Sequence, residues 1–376
     1  MNSELGDLAA PSLDEKRKEI ERRKWEHIRV CVDKDVEMKK TNGFEEFELV
    51  PKAVTEISLE EIDTSAVFLG HHLKVPLLIS AMTGGFEGAK KINSDLSQVC
   101  EKFGLAMGVG SQRAAIEDAS LSYTYDIRDV APNIFLIGNI GITQLIQGWG
   151  IDEAREAIEM IKANALAVHV NALQEIFQPE GDVNFRGGLT ALKELCESVN
   201  FPIIVKEVGS GISYESAQAF AEAGVSAIDV GGAGGTSWAR VEYFRHAGDS
   251  SDSFLDLLFD WGIPTAYSLL EVRKGTNLPL IGSGGIRNGI EIAKALILGS
   301  SITGIALPIL RVLQLEGING VERLIEEYIS QLREVMFLVG SKNLEILRNS
   351  RNQLVPQKNA RNWIEARELR PLGDSN

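Results

Sequence analysis

The chain has 376 residues, of which 38 are basic and 53 are acidic, so its formal net charge is −15. A chain this acidic is not expected to bind nucleic acid or an anionic membrane through its general surface, and an anionic ligand would need a local basic pocket. Hydrophobic residues make up 44% of the chain, but no run of about 18 apolar residues predicts a membrane-spanning helix.

The N-terminal segment is polar and predicts an extension outside the main domain, over residues 1–74. It lacks the apolar core of a secretory signal, which predicts a cytoplasmic protein. Ser12 and Glu15 have the spacing of a capping box at the start of a predicted helix. That helix later carries Arg23 and Lys24, which their spacing alone assigns to a solvated face.

From residue 75 onward, short apolar runs alternate with segments of helical periodicity, which is typical of repeated βα units. The eight runs are Leu77 to Met82, Gly104 to Val109, Ile134 to Ile140, Leu166 to Asn171, Pro202 to Val208, Ala227 to Gly231, Pro279 to Gly282 and Ile302 to Leu307. The predicted helices between them include Ala89 to Phe103, Asp152 to Ala163, Leu189 to Val199, Tyr214 to Ala223 and Gly289 to Leu298, with Asp152, Ser213 and Asn288 as capping residues. Eight such units favour an α/β fold, a closed (β/α)8 TIM barrel over residues 75–310.

An open Rossmann-type sheet is the competing fold. It would place a Gly-x-Gly-x-x-Gly turn after the first strand, whereas this strand ends in Ser80-Ala-Met-Thr-Gly-Gly85. A long connection, Ser237 to Trp261, follows the sixth run, and residues 246–253 within it are expected to be solvated. Residues 311–376 are interpreted as a helical C-terminal extension, with a helix around Val321 to Val339.

The three cysteines, Cys31, Cys100 and Cys196, are far apart in the sequence. Their spacing matches neither a disulfide framework nor a zinc motif. We expect them to be reduced, buried and unreactive.

Catalytic groups in such a barrel lie at the C-terminal ends of the strands, and here these ends are polar. After the seventh run, Gly282-Ser-Gly-Gly-Ile-Arg287 leads into a helix, and a glycine turn at a helix N-terminus is suited to bind a phosphate. The alternative is a turn that only packs a strand against a helix. The turn at residues 231–236 is either a second cradle of this kind or a flexible loop.

Lys206 lies within an otherwise apolar run, where a charged amine needs a partner. Glu207 is a poor partner because neighbouring residues on a strand point to opposite faces. Two interpretations stay open: an internal ion pair with another carboxylate, or a cation that faces the barrel lumen and stabilises a ligand's negative charge.

His169 and Asn171 face the same side of the fourth strand, and Gln174 and Glu175 follow them. His169 is either a satisfied core residue or part of a site. Glu175 with one histidine is too little for zinc, but a single carboxylate is suited to Mg²⁺, which takes its other ligands from water and phosphate.

Taken together, these strand ends resemble the type 2 isopentenyl diphosphate isomerases, an FMN-dependent (β/α)8 family, from about Arg22 to Leu338. The resemblance rests on residues 80–85, Gly110-Ser-Gln-Arg113, Asn139, His169-Val-Asn-Ala-Leu-Gln-Glu175, residues 178–182, Val205-Lys206, residues 234–239, residues 282–287 and Ala306-Leu307. Gly231 departs from the pattern, since some members of the family have serine there.

The resemblance implies a role for each of these positions. FMN would contact Ala81, Met82, Thr83, Ser111, Asn139, Lys206, Thr236, Gly284, Gly285, Arg287, Ala306 and Leu307. The substrate isopentenyl diphosphate would contact Arg23, Lys24, Arg113, His169 and Gln174, of which His169 and Gln174 would be catalytic, and Glu175 would hold Mg²⁺. NADPH would reduce the flavin, and the family suggests a homo-oligomer, a tetramer or octamer.

The reaction implied is a shift of the double bond that gives dimethylallyl diphosphate, with no net redox change. The nearest rival is an FMN-dependent 2-hydroxy-acid oxidase or dehydrogenase, which resembles this chain in strands five and seven. Those enzymes use a histidine after strand six, where this chain has Gly231-Gly-Ala-Gly-Gly235. An enzyme resembling IMP dehydrogenase would need a loop cysteine, and Cys100 and Cys196 fall in predicted helices. A non-catalytic flavin- or phosphate-binding barrel is the third alternative.

Overall fold

In the computed structural model, which describes residues 13–246 and 257–369, eight parallel strands close into a barrel in the order β10-β11-β4-β5-β6-β7-β8-β9. The strands are β1 (Phe47–Leu49), β2 (Ala66–Phe68), β3 (His71–Leu73), β4 (Leu77–Ile79), β5 (Ala106–Gly108), β6 (Phe135–Gly141), β7 (Ala165–Val170), β8 (Ile203–Glu207), β9 (Ala227–Asp229), β10 (Leu280–Ser283), β11 (Ile302–Ile305) and β12 (Leu354–Pro356). The predicted fold class, a (β/α)8 barrel, is confirmed, and each of the eight apolar runs contains or overlaps one barrel strand.

The helices lie between and beyond these strands. They are α1 (Leu13–Asp33), α2 (Glu87–Phe103), α3 (Arg113–Glu117), α4 (Ile142–Ile146), α5 (Ile151–Ile161), α6 (Ala172–Phe177), α7 (Gly188–Ser198), α8 (Tyr214–Glu222), α9 (Trp238–His246), α10 (Thr265–Gly275), α11 (Gly289–Ile297), α12 (Leu307–Leu338), α13 (Leu344–Arg348) and α14 (Lys358–Ala366). Short 3-10 turns occupy Phe44–Glu46, Leu59–Glu61, Ala119–Thr124 and Arg351–Gln353.

The barrel strands are apolar because both of their faces are covered. All residues of β4, β5 and β6 are buried, and so are the first four of β7. The lumen and the inner faces of the surrounding helices form one continuous hydrophobic core. Polar side chains appear where each strand leaves this core, at its C-terminal end.

Two of the three predicted helix caps are confirmed. The Ser213 side chain accepts a hydrogen bond from the Ser216 amide, and Asn288 Oδ1 accepts one from the Glu291 amide. Asp152 was wrongly predicted as a cap. The cap position of α5 is Gly150, whose amide donates to Glu153 at 2.8 Å, so Asp152 lies inside the first turn.

Several other predictions are corrected by the helix bounds. The connection from Ser237 to Trp261 contains α9, and residues 247–253 of the stretch expected to be solvated lie outside the described residues. The C-terminal helix predicted from Val321 belongs to the longer α12, which begins at Leu307 and has a kink at Gly317. Ser12, the predicted cap of α1, also lies outside the described residues.

The two extensions are fastened to the barrel and to each other. Strands β1 and β12 form an antiparallel pair, in which Glu48 lies opposite Val355. At the C-terminal end of the chain, the Trp363 ring stacks on Tyr267 and Arg367 binds the buried Glu271 at 2.8 Å. Within the described ranges, no helix combines the length and apolarity needed to cross a membrane.

All three cysteines are free thiols. Cys31 and Cys100 are buried in α1 and α2, whereas Cys196 on α7 is only partly buried, contrary to prediction. Burial raises the pKa of Cys31 to about 12 and that of Cys196 to about 11. A thiolate is therefore disfavoured at neutral pH, and Cys100 and Cys196 lie in helices rather than in a barrel loop.

Candidate active site

A cavity of about 610 Å³ lies at the C-terminal end of the barrel, over the strand ends. Every residue that the resemblance assigned to a ligand lines it: Arg23, Lys24, Ala81, Met82, Thr83, Ser111, Arg113, Asn139, His169, Gln174, Glu175, Lys206, Thr236, Gly284, Gly285, Arg287, Ala306 and Leu307. The fold thus brings these positions together, while the role of each one stays a prediction.

Two hydroxyl groups at the end of β4 are ready to bind a ligand. Ser80 Oγ and Thr83 Oγ1 are buried and have no hydrogen-bond partner in the part of the chain that the structure describes. An unsatisfied buried polar group costs about 1–3 kcal/mol. Because both residues line the cavity, a bound ligand with polar edges would satisfy them.

The glycine turns after β9 and β10 pack against each other. Gly284 and Gly285 have φ angles of +110° and +72°, which favour glycine. A Cβ atom at Gly284 would overlap the carbonyl oxygen of Gly232, and one at Gly285 would overlap that of Gly234. Glycine is therefore required here because the two turns pack closely, and together they form one cradle at the cavity. Phosphate binding in this cradle stays a prediction.

Arg287, at the end of this cradle, is held by a residue that the sequence did not single out. Its Nη2 atom lies 2.8 Å from Glu37 Oε2. The other oxygen of Glu37 binds Arg311 at 2.8 Å, and Arg311 also donates to the carbonyls of Cys31 and Lys34 at the end of α1. Glu37 thereby connects the glycine cradle to the helix that covers the cavity.

Lys206 reaches the cavity and also has an acidic partner. Its Nζ atom donates to the backbone carbonyl of Glu207 at 2.6 Å and lies 3.7 Å from Asp229 Oδ2. The Glu207 carboxylate instead accepts from the amides of Val208 and Gly209, so the predicted division of faces is correct. Lys206 thus pairs with an internal carboxylate and also lines the cavity, while its effect on a bound ligand stays a prediction.

His169 is a neutral imidazole at physiological pH. Its Nδ1 atom donates to Asn139 Oδ1 at 2.9 Å. Burial, with smaller effects from Lys206 and Lys24, lowers the pKa of His169 to about 4. In the neutral ring Nδ1 is the donor and Nε2 is therefore an acceptor, so His169 could donate a hydrogen bond to an anion only if that anion also favoured the protonated ring.

Glu175 is ordered by its neighbours. One carboxylate oxygen accepts from Asn171 Nδ2 at 2.8 Å and the other accepts from the Asp182 amide at 2.8 Å. Among the described residues, no group of three or more His, Cys, Asp or Glu side chains comes together as a metal site. A cation at Glu175 would thus depend on water and ligand oxygens, which is the usual situation for Mg²⁺.

Gln174 belongs to a buried polar cluster on the side of the cavity. Its Nε2 atom donates to Glu242 Oε1 at 2.8 Å, and the same oxygen lies 2.9 Å from His27 Nε2. Burial alone would raise the pKa of Glu242, but hydrogen bonds and charge from His27, together with Arg245, lower it to about 2. Gln174 is therefore oriented by a permanently ionised carboxylate.

The basic residues of α1 lie over the cavity and are not on a solvated face. Arg23 binds Glu180 at 3.2 Å. Burial lowers the pKa of Lys24 to about 7, and the neighbouring charges of Arg23 and Arg113 add to the effect. Arg113 binds Glu117 at 2.7 Å and is partly exposed. The three cations create a region of positive potential that an anionic ligand would relieve.

Sequence reasoning missed the carboxylates that support this site. Asp229 and Glu242 are both buried. Asp229 lies within a predicted apolar run, and Glu242 lies in the long connection after the sixth run. The signal for Glu242 was available, since residues 238–246 have no glycine or proline and are rich in bulky side chains. Glu37 gave no local signal, because its partners are distant in the sequence.

Comparison with known families and proteins is consistent with this geometry. The profile of the FMN-dependent dehydrogenase family matches residues 16–124 and 152–354. A protein named isopentenyl-diphosphate delta-isomerase from Pyrococcus furiosus is 47% identical over 92% of this chain, and 89% of that protein is covered. The protein of the same name from Methanothermobacter thermautotrophicus is 48% identical over 88% of this chain, and 92% of it is covered. The protein of that name from Nostoc sp. is 44% identical over 87% of this chain and is covered to 94%.

Solved structures with the same fold are more distant in sequence. A mutant flavocytochrome b2 with benzoylformate has a TM-score of 0.60 and 20% identity, over 82% of this chain and 76% of that one. A lactate oxidase of Pediococcus acidilactici has a TM-score of 0.61 and 18% identity, over 91% and 94%. These similarities show the shared barrel, and the closer sequence relatives place the chain in the isopentenyl-diphosphate delta-isomerase family, within the FMN-dependent dehydrogenases.

Proposed function

We propose that this isomerase interconverts isopentenyl diphosphate and dimethylallyl diphosphate, using FMN that NADPH reduces, together with Mg²⁺. The observation that carries the proposal is that one cavity contains two regions suited to anions, which share no residue. One is the glycine cradle that ends at Arg287, and the other is formed by Arg23, Lys24 and Arg113. A phosphorylated cofactor and a diphosphate substrate would fill these two regions.

The first region supports FMN. The cradle of Gly284 and Gly285 would hold the phosphate, together with Thr236, Arg287, Ala306 and Leu307. Polar edges of the ring and ribityl chain would meet the remaining FMN residues predicted from the resemblance, which are Ala81, Met82, Thr83, Ser111, Asn139 and Lys206. When bound, reduced FMN supplies the acid and base that exchange protons with the substrate's carbon atoms.

The second region supports the diphosphate. Arg23, Lys24 and Arg113 supply positive charge, and His169 lines the same cavity. A diphosphate beside His169 would favour its protonated ring, whose Nε2–H would then donate to the anion. Glu175 would hold Mg²⁺ against the diphosphate, and its two carboxylate oxygens are already oriented by Asn171 and the Asp182 amide. These interactions fix the anionic end of the substrate and thereby orient the hydrocarbon end.

The isomerisation needs one proton to be added at the terminal carbon of the double bond and one to be removed from a carbon on its other side. No oxidant is consumed, because the electron pair only moves within the hydrocarbon. Gln174, held by the ionised Glu242, would position the substrate, since an amide is a poor base at neutral pH. The cavity walls would exclude water from the cationic transition state.

The 2-hydroxy-acid oxidases share this barrel, but this chain lacks the histidine that those enzymes use after the sixth barrel strand. Gly231 has φ +45°, and a Cβ atom there would overlap the carbonyl oxygen of Glu207. A catalytic histidine at this position is therefore incompatible with the observed backbone. The same close approach argues that a serine is excluded from position 231 in this chain.

Turnover by the purified protein tests the proposal. With FMN, NADPH and Mg²⁺ under anaerobic conditions, we expect isopentenyl diphosphate to be converted to dimethylallyl diphosphate. The conversion is measured by chromatography of the products. Oxidation of lactate or glycolate without isomer formation would support the oxidase instead. Flavin binding with neither activity would support a non-catalytic flavin- or phosphate-binding barrel.

We also propose that the protein is a cytoplasmic homo-oligomer, a tetramer or octamer, as the family resemblance suggests. Light scattering during size-exclusion chromatography measures the molar mass directly. A mass near that of one 41.1 kDa chain would contradict this part of the proposal.

A further inference from the structure

Three neighbouring strand ends bring together a buried polar group beneath the cavity, formed by Lys206, Asp229 and Ser283. Lys206 on β8 lies directly opposite Asp229 on β9 in the parallel pairing. Asp229 Oδ2 lies 3.7 Å from Lys206 Nζ, and Asp229 Oδ1 accepts a hydrogen bond from Ser283 Oγ on β10. The Gly231 amide also donates to Oδ1, at 3.4 Å.

Asp229 lies behind Lys206 and does not itself face the ligand. Lys206 and Ser283 line the cavity, whereas Asp229 does not and is only 1% exposed. A carboxylate this deeply buried is stable only with partners, and the cation of Lys206 and the hydroxyl of Ser283 fill that role. Substrate and cofactor therefore meet the lysine, while the aspartate acts through it.

The pair has an electrostatic consequence for a group bound in the cavity. A lone lysine at the end of β8 would present a full positive charge in a poorly solvated place, where charges interact strongly. The negative charge of Asp229, 3.7 Å away, offsets part of that field and fixes the direction in which Nζ points. A bound group that gains negative charge is thus stabilised less than it would be by Lys206 alone.

We propose that Asp229 is a positioning residue that limits the effect of Lys206 on the flavin and so sets how strongly the reduced cofactor is favoured over the oxidised one. This inference rests on the proposed binding of FMN. The reduced flavin is the more negatively charged form, so the field of the Lys206 and Asp229 pair acts on the difference between the two oxidation states.

Asp229→Asn isolates the charge. The amide has nearly the same shape and its oxygen still accepts from Ser283, but the negative charge is lost. We expect the ratio of the affinities for reduced and oxidised FMN to rise about tenfold, which is a shift of the two-electron potential of about +30 mV. The potential is measured by spectroelectrochemical titration, and both affinities by titration of the apoprotein.

The matched control is Glu271→Gln, which removes another buried carboxylate that pairs with a cation, Arg367, away from the cavity. Its flavin potential should equal that of the wild type even if its Tm falls. An unchanged or more negative potential in flavin-loaded Asp229→Asn would overturn the inference. Wild-type protein that binds no flavin would instead contradict the proposed function.

A second pair of variants covers the case in which Asp229→Asn does not fold. Lys206→Met leaves Asp229 buried without its cation, and it should bind reduced FMN more weakly relative to oxidised FMN. In Lys206→Met/Asp229→Asn the unpaired charge is gone, so folding should recover and the potential should be more positive than in Lys206→Met. Equal potentials in these two variants would also overturn the inference.

Discussion

Lys24 is a cation whose charge changes near neutral pH. Burial and the adjacent Arg23 and Arg113 lower its pKa to about 7, so in the free enzyme it is protonated below that pH and neutral above it. His169, with a pKa of about 4, does not titrate in the same range, and the charge of His27 is also disfavoured by burial, which lowers its pKa. Burial also raises the pKa of Glu207 to about 7, but its carboxylate accepts from backbone amides beside Lys206. Lys24, which lines the cavity itself, is the group that we expect to link diphosphate binding to neutral pH.

We expect kcat/KM for the diphosphate substrate to fall as the pH rises through about 7, by up to about tenfold per pH unit, because kcat/KM reports the free enzyme. Lys24→Arg keeps the charge at all pH values used, so this decline should be lost or moved to higher pH. The same substrate is used throughout, so its own ionisation cancels in the comparison. Identical pH profiles for the two proteins would contradict the assignment of Lys24.

Glu175→Gln tests the metal site. The amide keeps the volume of the side chain but is a weaker ligand for a hard cation, so the Mg²⁺ concentration for half-maximal activity should rise at least about tenfold. Asp182→Asn is the control, because its carboxylate lines the same cavity but bonds to Gln147. Unchanged metal dependence in Glu175→Gln would refute its role as a ligand.

Individual site residues could be predicted from the sequence where the signal was local. Side chains alternate between the two faces of a strand, which predicts that Lys206 and Glu207 point in opposite directions. In the structure the two side chains have different partners, as this predicts. The partner of Lys206 could not be predicted in the same way. Asp229 belongs to the next strand, and only the register of β8 against β9 brings the two side chains together.

At the scale of elements, the position of helix α1 over the cavity could not be predicted from its own sequence. Its basic residues have the spacing of a solvated helix face, yet Arg23 and Lys24 line the cavity. Helix α1 lies against the cavity because its C-terminal end is held there. Arg311 on α12 donates hydrogen bonds to the carbonyls of Cys31 and Lys34. These bonds satisfy backbone groups that a helix end leaves free and fix α1 over the barrel.

Arg311→Ala should loosen this end of α1. Losing hydrogen bonds from a charged donor should lower the free energy of local opening by about 1–3 kcal/mol, seen as faster amide hydrogen exchange in α1. KM for the diphosphate should rise more than kcat falls, because we propose that Arg23 and Lys24 bind the substrate. Arg323→Ala on the same helix removes only an exposed pair with Glu316 and should change neither quantity. Equal exchange rates in the two variants would contradict the role of Arg311.

At the scale of the whole molecule, the barrel could be predicted and the docking of its extensions could not. Each barrel strand is a short apolar run bounded by turn residues, so eight local signals sufficed to predict the closed sheet. The pairing of β1 with β12 and the stacking of Trp363 on Tyr267 join segments that are remote in the sequence. No local pattern of either segment specifies its partner.

Cofactor binding should stabilise the whole chain. A ligand that binds only the folded protein adds about 2.7 kcal/mol at a free concentration of 100 times its Kd. We therefore expect Tm, measured by differential scanning fluorimetry, to rise with added FMN. Riboflavin lacks the phosphate that the cradle of Gly284 and Gly285 would hold, so at equal concentration it should raise Tm less. Equal shifts for the two flavins would contradict a phosphate site in that cradle.

The pairing of β1 with β12 also has a consequence for biosynthesis. Roughly 300 residues separate these strands. At elongation rates of about 5–20 residues per second, β1 is therefore synthesised on the order of 15 to 60 s before β12. Arg311, which contacts the C-terminal end of α1, is likewise made much later than α1, since 280 residues separate it from Cys31. A nascent polypeptide stalled before Arg311 has been made can form most of its barrel strands, but α1 then lacks the contacts that fix it over the cavity.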